Sequence, residues 1–187
     1  MNYRFIPNLI TVLRIILVAP IIWLLTEQQF TLALILFAVA GASDALDGFL
    51  ARHYHWQSWW GSVLDPLADK LLQVSCYITL AWMGHIPIWL VSAIVLRDVV
   101  IILGALFYHH RIDAFEAEPS IISKFNTFVQ IILILMVVLH IGVYALPENI
   151  LTWMFGLVLF TTVYSGVDYV YRWTHRAVKH RALNEKQ

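Results

Sequence analysis

The chain has 187 residues, no formal net charge at pH 7, and is 60% hydrophobic with only 13% charged residues. Soluble domains usually carry about 45–50% apolar and about 25% charged residues, so this balance indicates an all-α, polytopic integral membrane protein. It offers no basic excess for nucleic acid, no room for a second soluble domain and, with Cys76 as its single cysteine, no intramolecular disulfide framework or cysteine-based zinc site.

Six apolar segments, each near the ~20 residues that span a bilayer, are expected at roughly 6–25, 30–51, 62–83, 86–107, 121–145 and 149–171. Together they make one membrane domain over residues 1–187, with a basic tail from about 172. The first segment holds Arg14 and lacks a small-residue exit, so it is expected to be a retained helix rather than a cleaved signal. Short polar turns are expected at 26–29, 84–87 and 146–149, an interfacial loop at 53–60 and the longest internal polar loop at 109–119.

Arg4, Arg52, Arg111, Lys124 and the tail residues Arg172, Arg176, Lys179, Arg181 and Lys186 fall on one side, and the turns near 26–29, 84–87 and 146–149 carry no Lys or Arg. The positive-inside rule places both termini in the cytoplasm. Gly41 and Ala42 are expected to allow close helix packing. Cys76 reads as a small buried residue. His53, His55, His109 and His110 lack zinc-motif spacing, and Trp56, Trp59 and Trp60 read as interfacial anchors.

Four carboxylates, Asp44, Asp47, Asp65 and Asp69, lie in or beside the second and third segments, toward the cytoplasmic end of one helical hairpin. Intramembrane acids are costly and mark function by default. Asp44 and Asp47 are spaced i, i+3; Asp65 and Asp69 are spaced i, i+4. Each pair therefore shares a helix face. Such an oxygen-rich cage suits hard divalent cations, Mg²⁺, Mn²⁺ or Ca²⁺, and four acids with a ligand phosphate could hold two of them. Gly48 and Ala51 leave room for a ligand, and Arg52 could pair with a phosphate. The competing readings are salt bridges to Arg14, Lys70 or Arg97, and an ion-coupled transporter, which also uses intramembrane acids.

The arrangement Asp44-x-x-Asp47-Gly48-x-x-Ala51-Arg52, eight residues, then Gly61-x-x-x-Asp65-x-x-x-Asp69 resembles the signature of the CDP-alcohol phosphotransferase family at every fixed position. Ile6-Pro7-Asn8-Leu9-Ile10-Thr11-x-x-Arg14 and the run from Leu64 to Lys70 look like the branch that makes phosphatidylglycerophosphate and cardiolipin. The resemblance covers nearly the whole chain and implies a six-helix homodimer. It also implies transfer of a phosphatidyl group from CDP-diacylglycerol to an alcohol, with release of CMP. By the same resemblance Asp44, Asp47 and Asp65 hold two divalent cations (Mg²⁺ or Mn²⁺). Asp69 acts as general base and also touches a metal. Asp47, Gly48, Ala51, Arg52, Gly61 and Ser62 cradle the nucleotide, with Asn8 and Arg14 lining its pocket.

For the acceptor, Glu118-Pro119-Ser120 followed by Ser123-Lys124-Phe125-Asn126-Thr127-x-x-Gln130 is similar to the eukaryotic-type cardiolipin-forming branch. Phosphatidylglycerophosphate-forming relatives more often carry a second lysine where this chain has Asn126. Loss of that charge weakens a site for the dianionic phosphate of glycerol-3-phosphate more than one for phosphatidylglycerol. Phosphatidylglycerol is therefore the expected acceptor and glycerol-3-phosphate the alternative, with Arg97, Ser123 and Lys124 expected to bind it. A salt bridge from Arg97 to Asp98 is the competing reading of that arginine.

Overall fold

The computed structural model describes residues 6–53, 59–112 and 120–184, with side chains described at 10–43, 64–104, 120–147 and 149–172. Among the described residues six helices follow one another: α1 (Ile6–Thr26), α2 (Phe30–His53), α3 (Trp59–Trp82), α4 (Ile88–Ile112), α5 (Ile121–Gly142) and α6 (Glu148–Asn184). The described residues contain no strand. Among the described residues two helical stretches, Ile121–Gly142 and Asn149–Arg172, are long and apolar enough to cross a membrane.

The turns form where the polar breaks predict them, and their hydrogen bonds show why. At the end of α1, Gln29 N–H donates to the Leu24 carbonyl and Gln28 N–H to that of Leu25, with Gln28 at φ 60°. This is a left-handed helix cap, which satisfies carbonyls that the helix leaves open. The end of α3 repeats it: His85 N–H reaches the Leu80 carbonyl, Gly84 N–H that of Ala81, and Gly84 supplies φ 81°. Beyond α5, His140 Nδ1 accepts from Leu146 N–H at 2.8 Å. At its start Ser120 Oγ accepts from Ser123 N–H at 3.1 Å, an N-cap.

The basic tail is not a separate element. α6 continues without a break to Asn184, 37 residues in all, so the change from apolar to basic composition near Tyr171 does not end the helix.

The chain divides into two compact units. The first comprises Met1–Pro87 with Ile134–Pro147. In it α1 packs against both α2 and α3, over a core that includes Ile21, Leu25, Ala40, Cys76, Tyr77, Leu80 and Val137. Gly142 belongs to this unit, and a methyl group there would fall inside the envelope of the Phe30 Cβ; only glycine lets these backbones approach so closely. Gly41 behaves otherwise. It is exposed, and an added Cβ meets no described atom within 4 Å, so the expected close packing at Gly41 is not found. The second unit comprises Ile88–Leu133 with Glu148–Gln187. There α4 packs on α6, and the core joins Leu90, Ile94, Leu133 and Val158 to a notable share of polar groups.

Candidate functional site

In the first unit, polar contacts join α1 to α3. Thr11 Oγ1 donates to Asp65 Oδ1. Arg14 Nη1 donates to Asp69 Oδ1 at 2.5 Å in an ion pair. The i, i+3 spacing on α1 faces the i, i+4 spacing on α3, as neighbouring turns of two packed helices allow. The Arg14 side chain is 1% exposed, whereas that of Asp69 is 46% exposed. A cation so deeply buried must be paired, and Asp69 supplies the partner while still reaching the surface. Arg14, expected in the nucleotide pocket, is paired with Asp69, the salt bridge that the competing reading has for an acid.

Asp65, half-buried, sits immediately before Pro66 inside α3. Proline brings no N–H, so the Ser62 carbonyl four residues back loses its helical donor. Asp65 and Asp69 fit a hard divalent cation by donor type, and each carboxylate is oriented by a hydrogen-bond donor through one oxygen, as metal-binding carboxylates usually are. No group of three or more metal-ligating side chains occurs among the described residues. Asp44, Asp47, Gly48, Ala51 and Arg52 lie on the last turns of α2, Gly61 and Ser62 on the first turn of α3, and Asn8 on the first turn of α1. The side chains of these eight lie outside the described residues.

A second polar cluster occupies the second unit. Arg97 is 7% exposed. Its Nη1 donates to Asp98 Oδ1 at 2.8 Å, and its Nη2 to Ser123 Oγ on α5 and to Ser165 Oγ on α6. The competing reading of Arg97 is therefore what the structure contains, extended by two serines into a junction of three helices. Ser123 is buried with it. Lys124, the next residue, is exposed and makes no ion pair with the described residues. An open, mainly apolar groove of about 630 Å³ runs between α4 and α6, with Arg97 and Thr162 in its wall.

One helical turn further along α5, Asn126 is 0% exposed. Its Oδ1 accepts from Thr161 Oγ1 at 2.8 Å and from Thr162 Oγ1 at 3.1 Å. Gln130 Nε2 donates to Thr162 Oγ1 at 3.2 Å. The position read from sequence as a missing cation is thus a hydrogen-bonded link between helices. A lysine there would bring an unpaired charge among threonines. The links through Thr11, Thr161, Thr162 and Ser165 were not anticipated. Their signal was present, since isolated hydroxyls in apolar helices tend to find interhelical partners.

Residues 4–164 match a family model described as CDP-alcohol phosphatidyltransferase. The chain is 39% identical to cardiolipin synthase (CMP-forming) of Rattus norvegicus over 145 residues, 69% of this chain and 48% of that protein. It is 33% identical to the chloroplastic CDP-diacylglycerol–glycerol-3-phosphate 3-phosphatidyltransferase 1 of Oryza sativa over 188 residues, 88% of this chain and 55% of that protein. It is also 31% identical to the CDP-diacylglycerol–glycerol-3-phosphate 3-phosphatidyltransferase of Aquifex aeolicus over 139 residues, 73% of this chain and 77% of that protein. The chain spans about half the length of the rat, human and fly cardiolipin synthases that it matches (48%, 48% and 45%). The acid spacing and the family match, which covers both acid-bearing helices, agree: the chain belongs to the CDP-alcohol phosphatidyltransferase family.

Proposed function

We propose that the chain transfers a phosphatidyl group from CDP-diacylglycerol to phosphatidylglycerol, forming cardiolipin and releasing CMP. The observation that carries this reading is the 39% identity to a protein named cardiolipin synthase (CMP-forming), over a family match that includes all eight signature positions. In the reaction the acceptor hydroxyl oxygen forms a bond to the phosphatidyl phosphorus. The pyrophosphate P–O bond breaks, and CMP leaves with its electron pair. The hydroxyl proton passes to Asp69, a carboxylate whose half-exposed side chain can meet a substrate. Arg14 orients Asp69 through one oxygen, and Thr11 does the same for Asp65.

Asp44, Asp47, Asp65 and Asp69 would hold two divalent cations, Mg²⁺ or Mn²⁺, which neutralise the pyrophosphate and the departing CMP when bound. Asp47, Gly48, Ala51, Arg52, Gly61 and Ser62 would cradle the nucleotide, with Asn8 at its edge. Arg14 would line the same pocket while it holds Asp69. Lys124, exposed beside the buried Arg97–Ser123 junction, is the acceptor's phosphate ligand, while Arg97 and Ser123 support it from within. The protein would be a multi-pass, six-span homodimer in a lipid membrane, both termini and the site facing the cytoplasm or the equivalent inner side. The one-sided distribution of Lys and Arg supports the orientation, and the homodimer rests on the family resemblance alone.

A second reading uses glycerol-3-phosphate as acceptor and makes phosphatidylglycerophosphate. The relatives from Oryza sativa and Aquifex aeolicus, named for that reaction, favour it. Purified protein given CDP-diacylglycerol and Mg²⁺ with each acceptor in parallel separates the two. Cardiolipin from phosphatidylglycerol alone supports the first, and phosphatidylglycerophosphate from glycerol-3-phosphate alone supports the second. Cation flux in sealed liposomes without nucleotide would point instead to a transporter.

A further inference from the structure

On α5, Ser123, Asn126 and Gln130 form one stripe at spacings of three and four residues, and all three are buried. Each is bonded toward α6, directly or through Arg97: Ser123 shares the Arg97 Nη2 with Ser165, Asn126 holds Thr161 and Thr162, and Gln130 holds Thr162. From Ser123 with Ser165 to Asn126 with Thr161 and Thr162 the pairing runs in opposite directions along the two helices, and Gln130 returns to Thr162, so the stripe holds one register centred on Asn126. At about 100° per residue, Lys124 lies about 200° around the helix from Asn126. Whatever fixes the rotation of the Asn126 face toward α6 therefore fixes Lys124 on the far side.

Apolar ridges cannot fix that rotation well, because neighbouring turns of Ile, Leu and Val offer nearly equivalent surfaces in hydrocarbon. Directional bonds can. Asn126 is suited to this and poorly suited to packing alone. Its Oδ1 takes two hydroxyls, while its buried Nδ2 has no hydrogen-bond partner among the described residues. Turning the amide over would exchange donor and acceptor but keep both threonine contacts. A leucine would fill the same space without leaving a polar atom unsatisfied.

We propose that Asn126 is a positioning residue for acceptor recognition: its bonds to Thr161 and Thr162 set the rotation of the first turns of α5 and so aim Lys124 at the acceptor's phosphate. This rests on the assignment of Lys124 as the acceptor ligand. The test measures KM for phosphatidylglycerol, KM for CDP-diacylglycerol and kcat in four proteins. These are the wild type, Asn126→Leu, the double variant Thr161→Val/Thr162→Val, and the double variant Thr161→Ser/Thr162→Ser.

The Leu and double-Val variants are expected to raise the phosphatidylglycerol KM about tenfold, with the CDP-diacylglycerol KM within about twofold of wild type. The double-Ser variant, which keeps both hydroxyls, should match the wild type. In a Lys124→Ala background, Asn126→Leu should add less than about twofold, because the two act as one unit. The double-Val variant preserves side-chain volume and keeps the test open where Asn126→Leu does not fold. A fall in kcat alone, equal shifts in both KM values, or full additivity with Lys124→Ala overturns the proposal. If the wild type uses glycerol-3-phosphate but not phosphatidylglycerol, the acceptor assignment fails, and the same comparison with glycerol-3-phosphate still decides the role of Asn126. Turnover with neither acceptor refutes both.

Discussion

Arg14 and Asp69 divide their labour by exposure. The arginine is 1% exposed and the aspartate 46%, so the ion pair joins a buried group to one that can meet a ligand. Breaking a fully buried pair costs about 3–5 kcal/mol, but solvent at Asp69 screens this one, and about 1–2 kcal/mol is the scale expected for Arg14→Leu. Asp69→Asn keeps the shape and an oxygen for Arg14. It should lower the rate of CMP release by about 10²–10⁴-fold with a much smaller change in thermal unfolding than Arg14→Leu gives. Equal losses of activity and stability in both variants would mean that Asp69 is structural. The acids were legible in sequence because four carboxylates in an apolar chain at i, i+3 and i, i+4 admit few bland accounts. Arg14 was legible as a possible partner for an acid, but that the acid is Asp69, and that Thr11 meets Asp65, was not. It depends on which face of α1 turns toward α3, and packing decides that. At Asn126 the absence of a lysine is visible in sequence, whereas two threonines 35 and 36 residues away are not recognisable as its partners.

Helix existence and turn positions were legible because polar breaks interrupt long apolar runs. Helix ends were less so. α6 runs on to Asn184 through a basic stretch that contains no Gly or Pro and several good helix formers. Composition there marks a change of surroundings, not of backbone. The two left-handed caps give a direct comparison between elements, since one uses Gln28 and the other Gly84. A side chain in the left-handed region costs about 1–2 kcal/mol that glycine avoids. Gly84→Ala should therefore lower stability by about 1 kcal/mol, and Gln28→Gly should leave it unchanged or raise it, as read from thermal unfolding in one detergent. Gly142→Ala should cost more than either, because the obstruction is the Phe30 backbone neighbourhood rather than a torsion angle. A tolerated alanine at Gly142 would contradict the close approach of α2 and α5.

At the scale of the molecule, many large apolar side chains among the described residues are exposed. They include Ile16, Trp82, Trp153, Phe160, Val163 and Val167, and Phe160 and Tyr164 stack on one another on the outside of α6. Patches of this extent need a lipid or protein cover. The protein should remain with membranes through an alkaline carbonate wash and leave only in detergent; release by the wash would contradict embedding in the bilayer. The central claim is the reaction itself. Purified wild-type protein, given CDP-diacylglycerol and phosphatidylglycerol with Mg²⁺, should release CMP and form cardiolipin in equal amounts. It should do neither when Asp69 is replaced by Asn. Cardiolipin formation that persists in Asp69→Asn, or CMP release by the wild type only when glycerol-3-phosphate replaces phosphatidylglycerol, would contradict the account.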